Sequence, residues 1–241
     1  IVVVGLLLRE RPSELGIGPY GAVREPPAKP AGNPIAVAFG VLRTAVASRD
    51  FWLLSSSFFV CGASSSGLVG THLIPFCFDH GIPQVTGAGL LAAIGVFNIV
   101  GTMASGWCAD RYDGRVLLMI YYGLRGLSLL YLPFSNFDFF TLSIFAAFYG
   151  LDWFATVPPM MRLITDSFGK AATPVVFGWL FAAHQVGAGL IAYLAGLLRA
   201  ELGSYLTPFL ISGLLCLVAA VGVLWIGCTP RGLDARGLEP A

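Results

Sequence analysis

The stretch Gly106-Trp107-Cys108-Ala109-Asp110-Arg111-Tyr112-Asp113-Gly114-Arg115 carries four charges between two apolar runs, residues 85–107 and 116–134. Apart from Arg125, neither run holds a charged residue. About 20 apolar residues in a helix cross the roughly 30 Å hydrocarbon layer of a bilayer. The quoted stretch therefore reads as a short polar loop joining two spans. Four further runs of similar length lie at 51–74, 139–157, 174–198 and 205–226. The composition agrees: 56% hydrophobic and 11% charged, where a soluble domain carries about 25% charge. Mean hydropathy is +0.80. The expected fold class is an all-α membrane protein with six transmembrane helices in one bundle, and the bilayer is its solvent.

Net charge is +1, which gives no bulk field for nucleic acid. The five cysteines have no CxxC spacing and no histidine cluster beside them. No metal or other cofactor is expected. Nor does any GxSxG, HExxH or phosphate-loop pattern point to an enzyme.

Lys and Arg fix the expected orientation. Arg9, Arg11, Arg24, Lys29, Arg43 and Arg49 precede the first span, Arg111 and Arg115 follow the second, Arg162 and Lys170 follow the fourth, and Arg231 and Arg236 lie in the tail. These all fall on one side. The opposite loops hold Arg199 beside Asp79, Asp138 and Glu201. Both ends are thus expected in the cytoplasm, in a multi-pass protein of a cell membrane, a bacterial inner membrane in particular.

The loop resembles the G-x-x-x-D-R-x-G-R signature of the major facilitator superfamily, in the copy between its eighth and ninth helices. Gly106, Asp110, Arg111 and Arg115 take the signature positions, with one extra residue because Tyr112 and Asp113 both precede Gly114. Leu8-Arg9-Glu10-Arg11-Pro12 resembles the exit of a sixth helix, and Arg49-Asp50-Phe51-Trp52 is similar to bacterial monocarboxylate and oxalate/formate-type members. The resemblance implies two six-helix bundles that rock around a central site. This chain then supplies the C-terminal bundle, and its partner is a missing N-terminal six-helix half. The expected organisation is a helix tail at 1–8, a cytoplasmic linker at 9–50 with a helix at 35–49, the bundle at 51–226, and a cytoplasmic tail at 227–241. The linker helix reads as an interfacial helix or as a short solvated one. The loop charges read as a cytoplasmic gating latch, with Asp110 accepting hydrogen bonds from a helix N-terminus or a basic neighbour.

Polar groups at membrane depth are the site candidates. Arg125 and Asp152 lie on consecutive spans at similar depth, so they are expected to pair. Unpaired, each would cost roughly 2.5–3.5 kcal/mol on insertion scales. The pair reads either as packing or as a proton-coupling or substrate site. His184 and Gln185 lie near mid-membrane in the fifth span, beside a stripe of Gly178, Ala182, Gln185, Gly189, Ala192 and Gly196 suited to close helix contact. His184 reads as a cavity-facing anion or proton group, or as a satisfied interhelical histidine. Asn98 shares a stripe with Gly87, Leu91, Ile94, Gly101 and Ser105 and reads as substrate ligand or interhelical hydrogen-bond glue. The Gly62-Ala63-Ser64-Ser65-Ser66-Gly67 segment marks a bend or break in the first span.

The functional expectation is a secondary active transporter that moves a small-molecule substrate, an organic anion such as a monocarboxylate, by alternating access. The alternatives are a drug- or sugar-type carrier of the same fold, a non-transporting remnant or membrane scaffold, or an intramembrane enzyme in which His184 and Asp152 converge.

Overall fold

The computed structural model describes residues 33–227. The expected helix tail at 1–8, the start of the linker and the tail from 228 lie outside them. By its contacts the chain divides into two units, residues 1–37 and 38–241. In the first, the Asn33 side-chain oxygen accepts the Ile35 N–H at 3.0 Å and so caps helix α1 (Pro34–Ala45). The second unit holds the rest of α1 and all the membrane-spanning helices.

The linker helix ends at Ala45 rather than Arg49, because Ser48 starts a new one: its hydroxyl accepts the Asp50 N–H at 3.2 Å. Trp179 of the fifth span donates to the Ala38 carbonyl at 3.2 Å and meets Phe39 edge-on at 5.4 Å. Those contacts seat residues 38–45 on the bundle.

Among the described residues six helices are long and apolar enough to cross a membrane: Arg49–Asp79, Gln84–Ala109, Gly114–Phe134, Phe139–Phe168, Thr173–Leu202 and Leu206–Trp225. The first does not break at its serine-glycine segment. Helix α2 (Arg49–Gly62) passes through a π-helical stretch, Ala63–Val69, into α3 (Gly70–Asp79). Serine hydroxyls bond back to the carbonyls such a stretch loosens, Ser65 to Cys61 at 2.6 Å and Ser64 to Val60 at 2.9 Å. Pro75 lies inside α3 rather than beyond the span's end. The fourth span is the interrupted one. Helix α6 (Phe139–Asp152) ends in a turn over residues 153–156, and α7 (Val157–Phe168) restarts with Pro158 and Pro159 in its first turn, where a missing N–H costs nothing. Arg162 therefore lies on a helix, not in the following loop.

The second span is helix α4 (Gln84–Ala109), and the third opens with α5 (Gly114–Tyr131). The fifth is α8 (Thr173–Leu202), capped at Ala172, with Thr173 already inside the helix. The sixth opens with α9 (Leu206–Gly222).

Glycines pair these spans, because only a missing Cβ lets one backbone reach another helix's carbonyls. A Cβ on Gly62 would strike the His184 carbonyl, and one on Gly187 the Phe59 carbonyl, so the first and fifth spans touch reciprocally. Gly101 against the Leu151 carbonyl and Gly150 against the Ile94 carbonyl do the same for the second and fourth. Gly126 and Gly213 meet each other's carbonyls between the third and sixth. The expected stripe on the fifth span is corrected here. Its packed face is Thr173, Val176, Leu180, His184, Gly187 and Ala195, while Gly178 and Gly189 face open space.

Two apolar cores result. One gathers Phe51, Leu54, Phe58, Leu118, Met160 and Val176; the other gathers Leu73, Phe76, Leu129, Phe145 and Phe209. Arg125, Asp152 and His184 lie along the chain between residues of the two.

The glycine contacts give a paired test. Gly101→Ala must push the Leu151 backbone and is expected to cost about 1–3 kcal/mol, as overpacking does. Gly95→Ala, where a Cβ meets nothing within 4 Å, is expected to be neutral or slightly stabilising. Thermal unfolding of the two purified variants, compared with wild type, checks the difference.

Candidate functional site

Arg125 is completely buried at 0% exposure, in the middle of the third span. A guanidinium has five N–H donors and no way to discharge, so its surroundings must supply acceptors. They do. Nε donates to Asp152 Oδ2 at 2.5 Å, and Nη2 donates to the carbonyls of Asp152 and Trp153 at 2.8 and 3.1 Å. Nη1 lies 3.0 Å from Cys61 Sγ on the first span. The rings of Tyr122 and Tyr149 flank the cation, with centroids 5.7 and 6.0 Å away. Their hydroxyls donate to the carbonyls of Ser57 and Ser64, on either side of Cys61.

The expected Arg125–Asp152 pair is thus present, and its reason is not visible in the sequence. The carbonyls that Arg125 uses belong to the interruption of the fourth span. A break in a membrane helix frees backbone groups that lipid cannot satisfy. Here some are bonded within the turn, and two more are covered by the second span: Asn98 Oδ1 accepts the Phe154 N–H at 3.0 Å, and the Ser105 hydroxyl donates to the Ala155 carbonyl at 2.5 Å. Thr102 also donates to Asn98 Oδ1, at 3.1 Å. Asn98 thus makes an interhelical hydrogen bond between the second and fourth spans.

Asp152 Oδ1 is buried and has no hydrogen-bond partner among the described residues. Thr156 Oγ1 lies 3.6 Å from Cys61 Sγ, and His184 also interacts with that thiol. His184 is buried, stacked on Phe181 at 5.4 Å and against Phe58 at 4.9 Å. Its Nδ1 sits 3.1 Å from Gln185 Oε1, and Gln185 itself is exposed. The structure brings Arg125, Asp152, Cys61, Thr156 and His184 into one cluster, with Asn98 and Ser105 bracing its rim. Gln185 stands outside. Sequence reasoning misses Cys61 and Thr156, because a buried cysteine or threonine in an apolar run reads as ordinary packing.

Within this bundle the loop residues make separate contacts. Gly106 lies within helix α4 and a Cβ there would meet nothing, so it makes no close packing contact. Asp110 is exposed at the helix C-cap. Arg111 turns back onto its own helix, donating to the Trp107 carbonyl at 3.0 Å with its guanidinium 4.1 Å over the indole. The acceptor role expected of Asp110 belongs to Asp113, the extra residue. It caps the third span by accepting the Arg115 N–H at 2.9 Å and forms a forked pair with the Arg115 guanidinium at 2.6 Å. Arg115 reaches on to the Ile226 carbonyl at 3.4 Å, tying the start of the third span to the end of the sixth. Arg162 donates to the Ala109 carbonyl, closing the same end between the fourth and second spans.

The Arg115 guanidinium, assisted by the backbone cap, holds the Asp113 carboxyl below its ordinary value. A depressed carboxyl contributes stability that is complete above the unfolded value of about 3.9 and is lost as pH falls through the native one. The pair is partly exposed, so solvent limits it to at most about 0.5 kcal/mol, and the cap adds about 1 kcal/mol. Asp113→Ala is expected to lose both and Asp113→Asn only the pair. Thermal midpoints should rank wild type, Asn, Ala at pH 7, with the first two converging below pH 4.

The sequence matches the family model described as Major Facilitator Superfamily over residues 1–173. An uncharacterized MFS-type transporter of Bacillus subtilis (strain 168), YcxA, is 29% identical over 185 residues, 75% of this chain and 42% of that protein. Monocarboxylate transporter 13 of Rattus norvegicus is 33% identical over 155 residues, 64% of this chain and 36% of that protein. Monocarboxylate transporter 12-B of Danio rerio is 29% identical over 168 residues, 68% and 35%. The chain thus spans less than half the length of these curated relatives.

Proposed function

The chain belongs to the Major Facilitator Superfamily, and we propose that it forms the C-terminal six-span bundle of a secondary active transporter that moves a small organic anion, such as a monocarboxylate, by alternating access. The observation that carries the proposal is the buried Arg125. A permanent cation buried in the middle of a span, 2.5 Å from a single carboxylate oxygen, is costly to place there and is the kind of charge that marks a substrate or ion site. Two relatives are named as monocarboxylate transporters, and a guanidinium is the side chain best matched to a carboxylate.

An N-terminal half of six helices supplies the other wall of the cavity. The second and fifth spans support this reading, since both leave most of their surface uncovered within the chain. The Lys and Arg placement supports both ends of the bundle on the cytoplasmic side of a cell membrane. In this reading Arg125 alternates between Asp152 and the anion. Protonating Asp152 would release Arg125 to bind the anion, so an ion gradient drives the solute. His184 borders the same cluster, Asn98 braces the interruption of the fourth span, and the charges around Arg115 close the cytoplasmic end.

Uptake of labelled small monocarboxylates into vesicles holding the full-length protein, with and without an imposed pH gradient, tests this. Gradient-driven accumulation is expected, with at least a tenfold loss in Arg125→Gln and in Asp152→Asn. The double variant is expected to recover folded protein but not uptake. Recovered uptake in the double variant would reduce the pair to packing. Uptake of a neutral sugar or a lipophilic cation in place of carboxylates would favour the other carriers of this fold.

A further inference from the structure

The Arg125 cluster holds more acid than its ion pair needs. One cation faces two ionisable acids: the carboxyl of Asp152 through Nε, and the thiol of Cys61 through Nη1 at 3.0 Å. That contact places a permanent positive charge directly against the sulfur, where a thiolate would accept a charge-assisted bond. Thr156 Oγ1 at 3.6 Å can donate to the same sulfur. In a medium of low dielectric the cluster is neutral when one of the two acids is ionised. A proton can therefore reside on either. Asp152 Oδ1, buried at 3% exposure for the residue and without a partner among the described residues, is an oxygen free to carry it when Cys61 is the anion.

We propose that Cys61 is a modification site for small, uncharged, thiol-reactive electrophiles, its thiolate held by Arg125. The charged and titratable groups around it are Arg125 and Tyr122 from the third span, Asp152 and Tyr149 from the fourth, His184 from the fifth and Cys216 from the sixth. Of these Arg125 is the permanent cation. With methyl methanethiosulfonate, the Cys61 sulfur attacks the sulfenyl sulfur. The new S–S bond forms as the bond to the sulfonyl sulfur breaks, and methanesulfinate leaves with the electron pair. With the Cys61 anion consumed, the proton held on Asp152 is released to solvent and the Asp152 carboxylate pairs with Arg125, so the cluster stays neutral. No outside oxidant enters. The site follows from the cluster's geometry and does not depend on which solute is carried.

Cys77 and Cys216 provide internal controls. Both are as fully buried as Cys61, but among the described residues neither has a guanidinium hydrogen-bonded to its sulfur. The protein in membrane vesicles is treated with methyl methanethiosulfonate at pH 7, and each cysteine is followed by peptide mass spectrometry. Cys61 is expected to react at least tenfold faster than Cys77 and Cys216. Asp152→Asn leaves Cys61 as the one acid hydrogen-bonded to Arg125 and should raise the Cys61 rate a further fivefold or more, leaving the other two unchanged. Wild-type Cys61 reacting no faster than Cys77 and Cys216 overturns the proposal, whatever the variant does. So does an Asp152→Asn variant that speeds all three alike.

Discussion

A guanidinium that cannot lose its charge sits at zero exposure in the middle of a membrane helix, and the arrangement around it follows from satisfying it. One carboxylate neutralises the charge but cannot fill the remaining donors. The fourth span supplies two more acceptors by interrupting its helix, which turns the Asp152 and Trp153 carbonyls toward Arg125, and Cys61 of the first span meets Nη1. The interruption is in turn supported by Asn98 and Ser105, which take up the Phe154 N–H and the Ala155 carbonyl. Removing one partner of such a buried pair ordinarily costs about 3–5 kcal/mol, more than the pair itself contributes over an apolar replacement. A polar layer of this kind is therefore a specifying device rather than a source of net stability. It joins the third span to the fourth.

Close backbone contact holds that layer in place. Between lipid-facing helices no hydrophobic effect drives association, so packing and hydrogen bonds must do it. The three glycine-mediated pairs bring the first span onto the fifth, the second onto the fourth and the third onto the sixth. The first pair carries Cys61 and His184, the second carries Asn98 and Asp152, and the third carries Arg125. Each contributes to the cluster, so a shift of one pair against another changes the contacts of Arg125 directly. A site assembled from all three pairs can respond to movement anywhere in the bundle.

The spans were legible because twenty apolar residues in a row have few alternatives, and Arg125 and Asp152 stood out as charges where charge is expensive. The second-span stripe through Asn98, Gly101 and Ser105 was legible too, since glycine and polar residues share one helical face. Other features were not. Gly178, Gly189 and Gly187 look alike in sequence, and only the approach of the Phe59 carbonyl decides that Gly187 is the packed one. Pro75 inside a helix, and two prolines opening a second helix in the fourth span, depend on what neighbouring backbone leaves free. Cys61 reads as a small apolar residue until a guanidinium from another span is set beside it. In the loop, the extra residue Asp113 carries the cap and ion pair that the signature position Asp110 does not.

The dependence of the bundle on the Arg125–Asp152 contact can be measured directly by a double-mutant cycle on unfolding free energy, using Arg125→Leu, Asp152→Leu and the double substitution in the purified protein. A coupling of about 3 kcal/mol or more is expected, with the double variant more stable than either single one, because each single change strands a buried charge. Additive effects, within about 0.5 kcal/mol, would mean that the two groups do not share a buried contact and would contradict the structure's central feature.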